Sequence, residues 1–284
     1  MRILLLILTS LLLTGCKTGN VPSMRATEEL VFTTEENKLY QFVYSDTSGN
    51  TYLRQLRQAN YLLDITKSCK TDLERLCEIM NWTSKQWKHS GVNTPSKSDA
   101  LTILKEAREG KRFRCVEYGT VLSASLNAIG IKARTLGLET KFIETAKAGA
   151  GHVLAEAYLP DLGKWVVADA QFNVIPTLNG LPLNAVEFQK AIASGEKFQL
   201  IDRNGAVERS RAQRYLRFIP AYLYYFNIRF DCRQGLSIDR LQIEEKSSLM
   251  LVPVGAKNPT VFQITSVIDN CLYTHSTGDF YRKP

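Results

Sequence analysis

Phe113-Arg114-Cys115-Val116-Glu117-Tyr118 opens an apolar run that continues through Gly119, Leu122, Leu126 and Ile129 to Gly130. These positions recur at helical spacing, and glycine is the residue type that most readily takes the left-handed conformation closing a helix. Cys115 therefore falls in the first turn of a helix, where unpaired backbone N–H groups carry partial positive charge. Lys111, Arg112 and Arg114 lie beside it in the chain. Both effects favour thiolate over thiol, and the thiolate is the nucleophile. Beyond Gly130 the period changes from helical to alternating. Ile131 to Leu138 and His152 to Leu159 read as strands, Pro160-Asp161-Leu162-Gly163 as a turn, and Lys164 to Asp169 as a third strand. Upstream, Thr71 and Glu74 form a capping-box pattern that starts a helix near Asp72. Leu73, Leu76, Cys77, Met80, Ser84 and Trp87 share one face of that helix, and Ala100, Ile103, Leu104 and Ala107 mark another that ends at Gly110. Helices followed by strands indicate an α+β fold.

A cysteine nucleophile needs a base and a group to orient that base. The chain has three histidines. His89 follows an early helix and His275 lies in a polar tail, whereas His152 opens a strand directly after the Gly-rich loop Ala148 to Gly151. Pairing Leu159 with Lys164 across the turn sets Gln171 opposite His152 and Asp169 opposite Leu154. Opposed residues share a face, as do alternate residues of one strand, so Asp169 lies on the face of His152, one diagonal step away. A carboxylate there can accept the imidazole N–H and fix its tautomer while the other nitrogen faces Cys115. A one-residue register slip would break the arrangement.

The first residues belong to transport. Arg2 supplies a positive start and Ile3 to Leu13 a short apolar run, too short to span a bilayer comfortably. Leu13-Thr14-Gly15-Cys16 resembles the lipobox of bacterial lipoproteins, which implies that Cys16 is lipidated and becomes the mature N-terminus. Lys17 follows, and by the sorting rule of Gram-negative lipoproteins it implies an outer membrane facing the periplasm. The expected setting is the bacterial cell envelope. Residues 1–15 are read as the leader and 16–55 as the lipidated N-terminus, tether and lead-in. In an oxidising compartment the remaining cysteines can form disulfides. Cys69, Cys77, Cys232 and Cys271 can pair in three ways, with Cys69–Cys77 and Cys232–Cys271 the favoured pairing. The first bridge depends on the helix cap near Asp72, because eight residues along one helix would span ~12 Å. No close Cys or His pair has zinc-type spacing, so neither a metal nor another cofactor is expected. The net charge of +8 is spread along the chain. It suits anionic lipid or cell-wall polymer, and no basic stripe interleaved with aromatics suggests nucleic acid.

Phe113 to Tyr118, Leu126-Asn127-Ala128-Ile129-Gly130-Ile131-Lys132-Ala133-Arg134, Gly151-His152-Val153-Leu154-Ala155-Glu156-Ala157-Tyr158 and Trp165-Val166-Val167-Ala168-Asp169 together resemble the transglutaminase-like superfamily in order and spacing. The resemblance covers roughly Leu62 to Phe172. It implies a papain-like core, with N-terminal helices packed on an antiparallel sheet, in which Cys115 is nucleophile, His152 base and Asp169 orienter. The domain is placed at 56–180, and 181–284 is an extension or a small second domain containing an amphipathic stretch (Val186 to Ala193), an aromatic cluster (Tyr215 to Phe230) and two late strands (Leu249 to Val254 and Thr260 to Ile268). The implied activity is acyl transfer through a thioester, with hydrolysis of amide or peptide bonds first. Amine transfer, peptide N-glycanase-like deglycosylation and a non-enzymatic protein- or glycan-binding role are the alternatives. The Arg-Cys-x-Glu-aromatic run looks like the N-glycanase subgroup, whose zinc-binding Cys pairs are missing. Glu117, Tyr118 and Trp87 are candidate substrate-binding residues, although the helix dipole alone favours Glu117 and a core role suits Trp87. Arg134 and Glu156 are read as structural or rim residues. Expected partners are a peptide, protein, glycopeptide or cell-wall stem substrate, and the membrane through the N-terminal lipid. The oligomeric state is left open.

Overall fold

The computed structural model describes residues 27–236 and 240–284. The expected leader, the lipidation position Cys16 and the first part of the tether lie outside the described residues. Five helices come first: α1 (Thr51–Ala59), α2 (Leu62–Thr66), α3 (Asp72–Ser84), α4 (Ala100–Arg108) and α5 (Cys115–Ala128). Thr71 caps α3 by accepting the Glu74 N–H, and Gly110 and Gly130, both at positive φ, follow the ends of α4 and α5. Trp87 lies beyond the end of α3, in the turn that follows it, and not on the helix itself.

Strands β1 (Ala133–Glu139), β2 (Gly151–Leu159) and β3 (Lys164–Ala168) follow as an antiparallel meander. Leu159 pairs with Lys164 and Ala155 with Ala168, the register expected from the turn. Small residues on one face of this meander, Ala133, Ala155, Ala157 and Ala168, let the helices lie close against it and build one core with Leu122, Leu126 and Val166. The other face carries Leu136, Leu138, Leu154 and Val167 and is covered by the remainder of the chain.

That remainder begins with β4 (Ile175–Leu178), β5 (Leu181–Pro182), α6 (Ala185–Ala193), β6 (Gln199–Asp202) and β7 (Gly205–Ala206), the strands forming a small sheet of their own. Next, α7 (Arg209–Phe218) runs into a 3₁₀ turn at Ile219–Tyr222. Strands β8 (Tyr225–Arg229), β9 (Ser248–Leu251) and β12 (Cys271–Thr274) extend the main sheet to the order β12-β9-β8-β1-β2-β3. The late residues thus complete the sheet that holds β1–β3, and β12 joins β9 in parallel. The expected strand Thr260 to Ile268 is instead a short hairpin of β10 (Val261–Phe262) and β11 (Ser266–Val267), turning at Gln263 and Ile264, both at positive φ. Neither residue type announces such a turn. A final single turn, α8, spans Thr277–Phe280. Residues 30–46 are also fixed to the fold: Thr33 bridges Ser276, Val43 bridges Asp231, and Tyr40 is buried.

The favoured disulfides are not formed, and every described cysteine is a free thiol. Cys232 follows β8 and Cys271 starts β12, with β9 between them. Two strand spacings, about 9.5 Å, exceed the reach of a disulfide. Cys69 and Cys77 line one cavity with Leu73, Glu78 and Arg203, yet remain unbonded.

Arg134 and Glu156 face each other across β1 and β2, both fully buried, with Nη2 2.8 Å from the carboxylate. The guanidinium lies 4.1 Å from the Trp165 ring centroid and 5.1 Å from that of Phe280, and donates to the Phe280 carbonyl at 3.0 Å. Glu156→Ala leaves this cation buried without a counter-charge and is expected to cost about 3–5 kcal/mol in urea unfolding. Replacing both residues together, Arg134→Met with Glu156→Leu, should cost less than the single change. A single-variant loss below about 1 kcal/mol would show that water reaches the pair.

Candidate active site

Cys115 is the first residue of α5, half-buried, with Arg114 as the N-cap. The helix approaches β2 closely because Gly119 has no side chain: a Cβ there would lie 2.8 Å from the Leu154 carbonyl oxygen and 2.9 Å from Val153 Cγ1. Contact between helix and strand backbone sets the Cys115 sulfur beside the opening residues of β2, where it meets the His152 imidazole and the Val153 N–H.

His152 and Asp169 are each about 1% exposed, and Nε2 of the ring lies 2.8 Å from Asp169 Oδ2. Nδ1 is thereby left for the sulfur. Asp169 is itself held: Oδ1 accepts the N–H groups of Gln171 (3.0 Å) and Phe172 (3.3 Å), and the buried Tyr215 hydroxyl bonds to the same carboxylate. Asp169 sits just past the last paired residue of β3 and forms its own bridge to Val174, so the bend after Ala168 aims it at His152.

The electrostatics follow from this packing. Burial opposes ionisation of the Cys115 thiol, but its contact with the His152 ring, the charge of that ring and the Val153 N–H outweigh burial and lower the thiol pKa. Burial also works against a charged His152. Asp169, by charge and hydrogen bond, and then Cys115 overcome it and push the imidazole up to about 9. The contact between His152 and Cys115 falls outside strict hydrogen-bond geometry, as is common for such pairs before a substrate tightens them. The resting state favoured by both shifts is a thiolate beside an imidazolium.

The rest of the pocket comes from residues beyond Asp169. Phe218 meets the His152 ring edge-on at 5.1 Å between centroids, Tyr222 lies at 5.9 Å and Phe172 at 6.3 Å. Tyr222 is also close enough to Cys115 for the thiolate charge to raise its pKa, after burial itself. Tyr215, Phe218 and Tyr222 are spaced three and four apart, so one helical face carries the group that holds Asp169 and the two that wall in His152. The sequence showed this cluster as aromatic, but only the folded chain brings it to the site.

The three candidate substrate-binding residues are placed differently. Both Glu117 oxygens are occupied by Arg114, through its backbone N–H (3.0 Å) and its guanidinium (2.8 Å), so Glu117 caps the helix and does not face a ligand. Tyr118 is buried and donates to the Trp87 carbonyl at 2.8 Å. The Trp87 ring packs on Tyr118 with centroids 4.4 Å apart, and its buried indole N–H has no hydrogen-bond partner among the described residues. His89, two residues on, is exposed, yet the charges of His152 and Asp169 act on it, which puts this segment at the edge of the site. His275 interacts with the Val252 carbonyl on the other side of the sheet. Among the described residues, no cluster of His, Cys, Asp or Glu could hold a metal ion.

Residues 59–170 match the sequence model of the transglutaminase-like superfamily. The matched segment runs from the end of α1 through β3. No curated protein matches the chain. Similar solved structures include a "putative cysteine protease" from Cytophaga hutchinsonii, at 17% identity over 44% of this chain and 40% of that one, with a TM-score of 0.35. A "putative protease" from Parabacteroides distasonis matches at 16% identity over 55% and 30%, TM-score 0.31, and a TGase at 13% over 42% and 30%, TM-score 0.30. The chain spans less than half the length of each of these proteins. Cys115, His152 and Asp169 all fall within the matched segment, whereas Tyr215, Phe218 and Tyr222 lie outside it.

Gly119→Ala tests the close approach that this geometry requires. The added methyl meets backbone on β2, which cannot swing away, so α5 must shift and carry Cys115 off His152. Expected are a loss of about 1–3 kcal/mol in stability and slower iodoacetamide labelling of Cys115 under conditions where the variant stays folded. Unchanged labelling in a folded variant would contradict the account.

Proposed function

We propose that the chain is a cysteine-dependent acyl-transfer enzyme that hydrolyses amide or peptide bonds through a thioester. The observation that carries the reading is the Cys115 thiol meeting His152, whose far nitrogen is 2.8 Å from Asp169. The Cys115 thiolate attacks the carbonyl carbon. The oxygen that becomes negative lies at the start of α5, where the Cys115 backbone N–H is available to it. Trp87 supplies the second donor, because its buried indole N–H lacks any other partner among the described residues and its ring packs one turn from Cys115. His152 gives its Nδ1 proton to the leaving amine, and the C–N bond breaks to leave the thioester. Water then attacks with His152 taking its proton, the acid departs, and the thiolate–imidazolium pair returns. Asp169 holds one tautomer and orientation throughout. In the envelope setting read from residues 1–16, candidate substrates are exported peptides and the peptide stems of the cell wall.

Three measurements test this reading. Incubating wild type and Cys115→Ala with peptides, glycopeptides and cell-wall fragments, with mass spectrometry of the products, should give Cys115-dependent gain of water without amine incorporation. Amine adducts or released glycan would replace hydrolysis with one of the alternatives. Trp87→Phe should lower kcat for p-nitrophenyl acetate by about 10²-fold with KM little changed, and an unchanged kcat would remove Trp87 from the mechanism. The rate against pH should be bell-shaped. It rises as the lowered Cys115 pKa is passed and falls near pH 9 as His152 loses its proton.

A further inference from the structure

Cations without partners converge on this site from two sides. On the first, Lys88 and His89 are exposed just beyond Trp87. The Ser90 N–H donates to the Phe113 carbonyl at 2.8 Å and Asn93 Nδ2 to the Arg112 carbonyl at 3.0 Å, lashing this segment to the loop that leads into Cys115. Lys88, His89 and the exposed Arg112 therefore stand together beside the start of α5. On the second side is α7. Arg214 precedes Phe218 by four residues, so it lies one turn along the same surface from the ring that touches His152, and Arg217 is its neighbour at three. Both are exposed.

Among the described residues, the side chains of Lys88, Arg112, Arg214 and Arg217 form no hydrogen bond or ion pair. Of the acids near these cations, Glu117 is held by Arg114, Glu106 by Lys111 and Asp202 by Arg211, while Glu109 and Glu208 have no side-chain partner among the described residues. Cations elsewhere on the surface divide: Lys141, Lys164 and Lys257 have carboxylate partners, whereas Arg54, Lys97, Lys105 and Arg209 form none among the described residues. Unmatched positive charge therefore stands on both sides of the start of α5, as it also does elsewhere on the surface. On the second side Phe218 and Tyr222 add an apolar wall against His152.

Building on the acyl-transfer reading, we infer that the cleft takes an acidic peptide, with carboxylates on both sides of the bond that Cys115 attacks. One arm, Lys88 and Arg112, meets carboxylates on one side of that bond, and Arg214 with Arg217 meets those on the other. Exposed charges of this kind act mainly on the rate of encounter and are screened by salt.

The test uses two peptide vinyl sulfones that trap Cys115, one with Glu on each side of the trap and one with Gln at the same positions. Second-order labelling rates of the full chain are compared, with uncharged iodoacetamide reporting the thiol itself in every protein. The Glu probe should label about tenfold faster at low ionic strength, and its advantage should shrink to about twofold in 0.5 M NaCl. Arg214→Glu with Arg217→Glu should reverse the preference. Equal rates, a faster Gln probe, or a Glu advantage that survives the double reversal would overturn the inference while iodoacetamide labelling leaves the acyl-transfer reading standing. A Cys115 that resists iodoacetamide as well would overturn both.

Discussion

The fold depends on a buried charge. Arg134 lies in the main sheet with no exposure, neutralised by Glu156 on the neighbouring strand and enclosed by Trp165, Phe280, Tyr281 and Phe42. Desolvating two ions is costly, and an interior pair is retained only where its geometry and remaining hydrogen bonds are nearly complete. Here completeness draws on the whole chain: β1 and β2 supply the ions, β3 one aromatic face, residues near both ends of the described chain the others, and the Phe280 carbonyl accepts the remaining guanidinium arm. The segment 59–170 cut at its end would leave Arg134 without that lid. The later residues are therefore part of the same folding unit, consistent with their strands completing the main sheet.

Binding the extension to the core also completes the site. The core supplies nucleophile, base and carboxylate, but Tyr215 holds the carboxylate, and Phe218 and Tyr222 keep water from the imidazole. A dry surround strengthens the His152–Asp169 interaction and makes the shared proton between sulfur and ring sensitive to small displacements. Gly119 bears on those displacements, because its lack of a side chain lets α5 lie on the β2 backbone.

Local rules made the central elements legible. The helix starting at Cys115 was written in its apolar spacing and in the glycine that ends it. The β2–β3 register was written in the length of the turn at 160–163, and with it the shared face of His152 and Asp169. What escaped were features set by distant packing. Gln263 and Ile264 turn a hairpin without glycine or asparagine, because contacts to the loop before His152 hold them there: the Gln263 N–H bonds the Ile143 carbonyl, and its side chain accepts the Ala150 N–H. The Cys232–Cys271 pairing failed because no spacing rule reveals a third strand between two others. The sequence offers Trp87 as a candidate substrate-binding residue for which a core role is the alternative, but the N–H it leaves without a partner among the described residues is visible only in the folded chain.

The central claim is that Cys115 and His152 rest as a thiolate–imidazolium pair. Thiolate absorbance at 240 nm, recorded against pH as the difference between wild type and Cys115→Ser, tests it directly. The account predicts that the Cys115 step lies below the ordinary thiol range of about 8.5 and moves upward in His152→Ala. A step at or above that value in the folded wild type, unmoved by loss of His152, would contradict it.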